Sequence, residues 1–151
     1  MSGAPSLDEL TDAIIDHGCR DPQLARGLAR GFDHYFKGDY ESCAAVVIPK
    51  FEAAARSLLR ELDEGIYRVQ VGNDPGGYVG PYILLEELEK LALDESWTYF
   101  FRWILLGPYG ANLRNDVAHG FVVDPGPVYA ALLLRAVSAL VLVADTLPPD
   151  E

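Results

Sequence analysis

The side chains best suited to chemistry stand in one nine-residue string, NLRNDVAHG, over residues 112–120. This string places Arg114 five residues before His119. Arginine is permanently charged, and its planar fork of donors fits a phosphate or a pentavalent phosphorane. Histidine ionises near neutral pH, so it can both remove and deliver a proton. The two side chains therefore suffice for metal-free RNA cleavage, with His119 transferring protons at the ribose 2′-hydroxyl or the leaving 5′-oxygen and Arg114 stabilising the phosphorane charge.

The spacing within the string favours a homodimer. On an ideal helix, Arg114 and His119 lie roughly 140° apart, because each residue adds about 100°. Asn115 and His119 are separated by four positions and share a face. Two such helices related by a two-fold axis would bring two histidines and two arginines into one cleft, which supplies an acid, a base and a charge clamp.

The same string is also consistent with a purely structural role, in which its polar residues delimit one short helix. Asn112 would be the N-cap, His119 would lie at the negative end of the helix dipole, and Gly120 would adopt the left-handed conformation after the last turn. Arg114 would pair with one of the 23 acidic side chains. Because Arg-x4-His is a short pattern, both interpretations stay open.

The string resembles the signature of the HEPN superfamily (higher eukaryotes and prokaryotes nucleotide-binding), an arginine and a histidine separated by four to six residues, often with asparagine directly after the arginine. A bacterial HEPN-like family of unknown function carries Asn-Leu-Arg-Asn-x-x-Ala-His-Gly, which is present in full over residues 112–120. That family also has Pro-x-x-Glu-x-x-x-Arg upstream, and Pro49, Glu52 and Arg56 stand at those spacings. The resemblance covers roughly residues 31–147.

The resemblance implies a helical, usually dimeric domain. Many members are metal-independent endoribonucleases of toxin–antitoxin, antiphage or stress-response systems, and others are catalytically silent. Arg114 and His119 would be the catalytic residues, Asn115 an accessory residue, and Glu52 an acidic partner that orients one of them. The residues alone equally allow Glu52 to form an i, i+4 ion pair with Arg56 on a solvated face. The implied partners are RNA, an antitoxin or regulatory protein, and a second copy of the chain.

The net charge works against an RNA enzyme. The chain has 12 basic and 23 acidic side chains, a net charge of −11, whereas phosphates are held mainly by Lys and Arg. Phosphate binding would require Lys50, Arg56 and Arg60 to converge on Arg114. The acidic surface and a strongly apolar last helix favour the alternative function, a silent helical dimerisation or ligand- or nucleotide-binding module.

The composition indicates one packed globular domain. The 151 residues are 50% hydrophobic and 23% charged, which is typical of a chain with a single core. We expect a disordered N-terminus over residues 1–5 and one domain over residues 6–147. A repeat array, a low-complexity chain and a polybasic nucleic-acid binder are excluded, and no DNA partner is expected.

Several features predict a cytoplasmic protein without a membrane span, metal or cofactor. The N-terminus has no signal-peptide pattern. Residues 128–144 form a mostly aliphatic run, but Arg135 near its middle would cost about 2.5–3.5 kcal/mol in a bilayer, which favours a helix buried in a core or a dimer interface. Cys19 and Cys43 lack CxxC spacing and are typical of buried thiols in a reducing cytosol. The three histidines show no metal-binding spacing.

Capping residues and 3.6-residue apolar spacing predict an all-α helical bundle, and the resemblance implies that this bundle is HEPN-like. The predicted helices cover residues 7–18, 22–38, 39–63, 81–93, 95–106, 113–119 and 128–147. Ser6, Asp21 and Asp94 are the predicted N-caps. Pro49 should kink the third helix or break it near Val46.

Two further segments have distinct patterns. Residues 64–80 alternate loosely and contain a dense turn signal at residues 73–77, which predicts a short β-hairpin or an ordered loop. An aromatic stripe at helical spacing is expected to lie in the core rather than to bind a ligand; it consists of Trp97, Phe100, Phe101 and Ile104.

Overall fold

The fold is an all-α bundle, as predicted. The computed structural model describes residues 3–61, 67–68, 77–78, 80–91, 93–107 and 109–145. Its helices are α1 (Leu7–Asp16), α2 (Pro22–Phe36), α3 (Tyr40–Glu61), α4 (Pro81–Leu91), α5 (Glu95–Phe101) with a π-helical turn (Arg102–Leu106), α6 (Leu113–Ala118) and α7 (Gly126–Asp145). The last residues of two predicted helices, 62–63 and 146–147, lie outside the described residues.

The three predicted N-caps are confirmed. Ser6 and Glu9 form a capping box at α1, and the hydrogen bonds from Ser6 lower the pKa of the Glu9 carboxyl. The Asp21 carboxylate accepts from the first backbone N–H groups of α2, and Asp94 accepts from Ser96 N–H at α5. Each cap satisfies a donor that has no partner inside its own helix.

The third helix is not broken at its proline. α3 runs without interruption through Pro49, so of the two predicted alternatives, a kink or a break near Val46, the break is wrong. Pro49 and Ala45 are both exposed, so the carbonyl that loses its donor lies on the solvent side of the helix. Val47 and Phe51, on the buried side, are covered by the core, and their packing stabilises the helix on both sides of Pro49.

The core is centred on α3, which packs against α2 and α7 and also contacts α4 and α6. Phe101 and Ile104 are fully buried, with Trp97 and Phe100 packed against them, as the aromatic stripe predicted. The ring of Phe51 meets that of Phe101 edge-on, with centroids 5.2 Å apart.

Cys19 and Cys43 are buried free thiols. Burial, the larger cause, and the charge of nearby Asp39, the smaller one, raise the pKa of Cys43 to about 11.

The last helix covers the core on one side and begins at an exposed apolar end. Small and aliphatic side chains of α7, among them Ala130, Leu133 and Val137, are buried. Val128 and Tyr129 in its first turn are exposed. None of the helices in the described part of the chain is long and apolar enough to cross a membrane.

The segment between α3 and α4 contains a short antiparallel pair. Residues Tyr67–Arg68 (β1) pair with Gly77–Tyr78 (β2), with Tyr67 opposite Tyr78. This pairing agrees with the hairpin alternative. Apart from Gly77, the residues of the predicted turn signal lie outside the described residues.

Candidate active site

The NLRNDVAHG string forms α6 and its two ends. Leu113 is buried and anchors the helix in the core. α6 packs against the π-helical turn and contacts α3. Immediately before it, the Ala111 N–H donates to the Trp103 carbonyl over 2.8 Å, which ties the loop that leads into the helix to that turn.

Asn112 does not cap α6 in the predicted way. It occupies the N-cap position in the left-handed conformation, with φ of 49°, and its side chain accepts no backbone N–H from the helix. Its amide group instead donates to Asp116 Oδ1 over 3.0 Å, and its Oδ1 accepts from the Asn115 amide over 2.9 Å. The side chain is thus part of a polar network on the surface of α6, a role that the spacing of Asn112, Asn115 and Asp116 on one helix could have indicated.

The C-terminal end of α6 agrees with the helix-delimiting interpretation. His119 is the C-cap; its backbone N–H donates to the Asn115 carbonyl over 2.9 Å, and the Gly120 N–H donates to the Val117 carbonyl over 3.2 Å. Gly120 has φ of +73°, the left-handed conformation that glycine adopts without a steric penalty. Phe121 N–H then donates back to the Asp116 carbonyl over 2.8 Å.

Arg114 is held from two sides. Its Nε lies 3.5 Å from Glu52 Oε1 on α3, and its Nη1 donates to Asn115 Oδ1 over 3.0 Å. The guanidinium side chain remains 37% exposed. Arg114 is therefore oriented by an anion and an amide while part of its donor fork still faces solvent.

Glu52 contacts both Arg114 and Arg56, the two alternatives that the sequence left open. Besides Arg114, its carboxylate lies 3.6 Å from Arg56 Nη1, one turn further along α3. The Glu52 carboxylate therefore lies between two guanidinium groups, on a chain whose net charge is −11.

The imidazole of His119 faces solvent. His119 is exposed, and its ring centroid lies 6.3 Å from that of Phe121, which is also exposed. Among the described residues, no hydrogen bond to its side chain is present. Asn115, which was expected to share a face with His119, directs its amide to Asn112 and its carbonyl to Arg114 instead.

The predicted phosphate-binding residues divide into two groups. Arg56 lies beside Glu52, and Arg60 is exposed one helical turn later on the same side of α3. Lys50 does not join them, because its side chain lies over Gly27 of α2; a Cβ on that glycine would stand 2.4 Å from Lys50 Cε. Positions 50 and 56 of one helix face directions roughly 120° apart, which separates Lys50 from Arg114.

Within the described part of the chain, no three His, Cys, Asp or Glu side chains lie close enough together to hold a metal ion. No protein-family model matches the chain, and no curated protein or solved structure is similar to it. The geometry around α6 is therefore the basis for a functional conclusion.

Proposed function

We propose that this protein is a metal-independent endoribonuclease with Arg114 and His119 as its catalytic residues. The observation that carries the proposal is the contrast between the two side chains. Glu52 and Asn115 hold Arg114 in place, whereas His119 is exposed at the end of the same helix. A fixed cation and a solvent-accessible proton carrier are the two groups that phosphoryl transfer without a metal requires.

The reaction would be an internal transesterification. His119 takes the proton of a ribose 2′-hydroxyl, and the 2′-oxygen attacks the adjacent phosphorus. Arg114 stabilises the pentavalent phosphorane through its donor fork. The bond to the 5′-oxygen then breaks as an acid returns a proton to that oxygen, leaving a 2′,3′-cyclic phosphate on one fragment and a 5′-hydroxyl on the other.

A second copy of the chain would supply the acid. One α6 presents one imidazole, and a base and an acid are needed on opposite sides of the phosphorus. Apolar side chains are exposed directly after His119, with Phe121 80% and Val123 61% accessible, and Val128 follows at 68%. A two-fold interface over this surface would bury them and bring His119 of the partner subunit to the same cleft.

Arg114 supports contact with a phosphate, because its side chain is oriented by Glu52 and remains 37% exposed. The sequence resemblance adds a biological setting to the proposal, namely a toxin–antitoxin, antiphage or stress-response system with an antitoxin or regulatory protein as partner.

The test is RNA cleavage in excess EDTA. The wild type is expected to cleave and to leave 2′,3′-cyclic phosphate ends, and His119→Ala or Arg114→Ala to be slower by about 100- to 10,000-fold. His17→Ala, at an exposed histidine just after α1, is the matched control and should cleave as the wild type does. Equal cleavage by His119→Ala, or cleavage that stops when EDTA is added, would overturn the proposal.

A catalytically silent dimerisation or ligand-binding module is the second candidate. It is favoured by the ion pair of Arg114 and the helix-ending position of His119, which a structural role explains without any reaction. In that case Arg114→Ala lowers the thermal midpoint, and neither the wild type nor any variant cleaves RNA.

A further inference from the structure

A concave surface lies beside the loop that leads into α6. It is a pocket of about 440 Å³ beside α5 and the π-helical turn. Its walls carry aromatic side chains and one arginine; they are Tyr82, Tyr99, Arg102, Trp103 and Tyr109. Ligand sites of this kind span about 300–1,000 Å³, so the volume is that of a small-molecule or single-base site.

Three tyrosines around this pocket are more exposed than aromatic residues usually are. Tyr109 is 98% accessible, Tyr99 73% and Tyr82 53%. Single exposed apolar rings are ordinary, but several around one cavity mark a binding surface. They come from α4, α5 and the loop before α6, so folding brings the three tyrosines to one pocket.

Arg102 adds a cation and hydrogen-bond donors to the pocket. Its guanidinium lies 5.3 Å from the ring centroid of Tyr82, and its Nη2 donates to Glu89 over 2.9 Å. Its buried Nε has no hydrogen-bond acceptor in the described part of the chain. The ion pair and the ring fix the plane of the guanidinium without satisfying all of its donors.

A tight backbone contact holds the loop that leads into α6 against this pocket. Arg102 and Trp103 belong to the π-helical turn, a rare geometry that is frequent at functional sites. Gly110 passes so close to this turn that a Cβ on it would lie 2.1 Å from the Trp103 carbonyl oxygen. The loop from Gly110 to Asn112, which leads into α6, is therefore held against the pocket wall.

We propose that this pocket binds one unpaired base of single-stranded RNA, a proposal that rests on the proposed function. A base is planar, stacks on exposed tyrosine and tryptophan rings, and offers acceptors on its edge to arginine. Stacking also provides affinity for RNA that does not depend on basic side chains. A chain with net charge −11 gains little affinity from phosphates, so its affinity for RNA has to come from contacts with the bases.

Fluorescence of Trp103 measures base binding without any cleavage. The chain has two tryptophans, and Trp97→Phe leaves the one in the pocket. The probe is a 2′-O-methyl hexanucleotide, which has no 2′-hydroxyl nucleophile. We expect saturable quenching by this probe and none by an abasic oligomer of the same length.

Substitutions at the rim locate the binding. In the Trp97→Phe background, Tyr99→Ala and Tyr109→Ala are expected to bind the probe about 5- to 150-fold more weakly, because each removes an exposed ring. Phe36→Ala, at an exposed aromatic residue of α2, is the matched control and should bind unchanged. The proposal would be overturned if the probe left Trp103 fluorescence unchanged or if the abasic oligomer bound as tightly as the probe. It would also be overturned if both tyrosine variants bound the probe as tightly as the Trp97→Phe parent.

Failure of the pocket and failure of the proposed function give different results. His119→Ala should bind the probe as tightly as the Trp97→Phe parent, since the histidine takes no part in base binding. In cleavage assays Tyr109→Ala should raise KM and leave kcat unchanged. If the protein binds the probe and cleaves no RNA, the base-binding proposal is supported and the proposed nuclease function is overturned. If the protein cleaves RNA and Tyr109→Ala leaves KM unchanged, the nuclease function is supported and the base-binding proposal is overturned.

Discussion

At the scale of single residues, the carboxylate of Glu52 links two helices. It lies within ion-pair distance of Arg56 on its own helix and of Arg114 on α6. Glu52 is half-buried, and a carboxylate shielded in this way loses less of its interaction to solvent than an exposed one does. We interpret Glu52 as a positioning residue that sets the direction of the Arg114 donor fork.

Replacing this carboxylate by an amide tests the interpretation. Glu52→Gln is expected to lower kcat by up to about 100-fold, because a small displacement of a catalytic group costs this much. KM should not rise, since removing a negative charge leaves the site more attractive to phosphate. The measurement is steady-state RNA cleavage together with the thermal midpoint.

The matched control for Glu52→Gln is Glu41→Gln, an exposed glutamate in the first turn of the same helix. Glu41→Gln should cleave as the wild type does. An unchanged kcat in Glu52→Gln would contradict the positioning role, and a fall in the thermal midpoint that accounts for all lost activity would reduce Glu52 to a structural residue.

At the scale of elements, the helices were predictable because their signals are local. Ser6, Asp21 and Asp94 cap the helices that directly follow them. The uninterrupted path of α3 through Pro49 was not predictable, since it depends on packing against α2 and α7, which lie on either side of α3 in the sequence.

The candidate site was predictable in part for the same reason. The string itself indicated Arg114 and His119, and the i, i+4 spacing indicated the Glu52–Arg56 pair. The approach of Glu52 to Arg114 joins positions 62 residues apart; spacing does not indicate it, and it was expected only from the sequence resemblance. The aromatic pocket was not foreseen, because its tyrosines come from separate elements.

The crossing of α2 and α3 depends on a glycine. A Cβ on Gly31 would stand 2.4 Å from Val47 Cγ2 and 3.3 Å from Leu134 Cδ2. Gly31→Ala is expected to destabilise the fold by about 1–3 kcal/mol, since the stiff, buried valine cannot move aside. Chemical denaturation measures this change.

The control for Gly31→Ala is Gly80→Ala, where a Cβ would meet no atom within 4 Å. Its free energy of unfolding should stay close to that of the wild type. If Gly31→Ala is as stable as Gly80→Ala, the prediction is wrong, because α2 and α3 can then separate slightly without a loss of stability.

At the scale of the whole molecule, charge and apolar surface act against each other. Each chain has a net charge of −11, so two copies repel each other at long range, and salt weakens this repulsion. The exposed Phe121, Val123 and Val128 offer the opposing attraction at short range. The proposed dimer should therefore tighten as salt is added, the reverse of an assembly held by ion pairs.

A charge introduced into this apolar surface tests the dimer. Phe121→Asp is expected to be a folded monomer in sedimentation and to lose RNA cleavage, because a buried carboxylate without a partner is costly at an interface. Phe36→Asp, at an exposed aromatic residue of α2, should keep the wild-type assembly and activity. A wild type that cleaves RNA as a monomer would contradict the two-copy site.

The π-helical turn at Arg102–Leu106 is equivalent to a single-residue insertion in an α-helix, because its hydrogen bonds reach one residue further than those of a regular turn. Ile104 and Leu105 keep their places in the core while Arg102 and Trp103 line the pocket. A homologue that lacked this one residue would rotate its later side chains by about 100°. In an alignment, a one-residue gap at the π-helical turn would therefore identify relatives that retain the bundle and have lost the aromatic pocket.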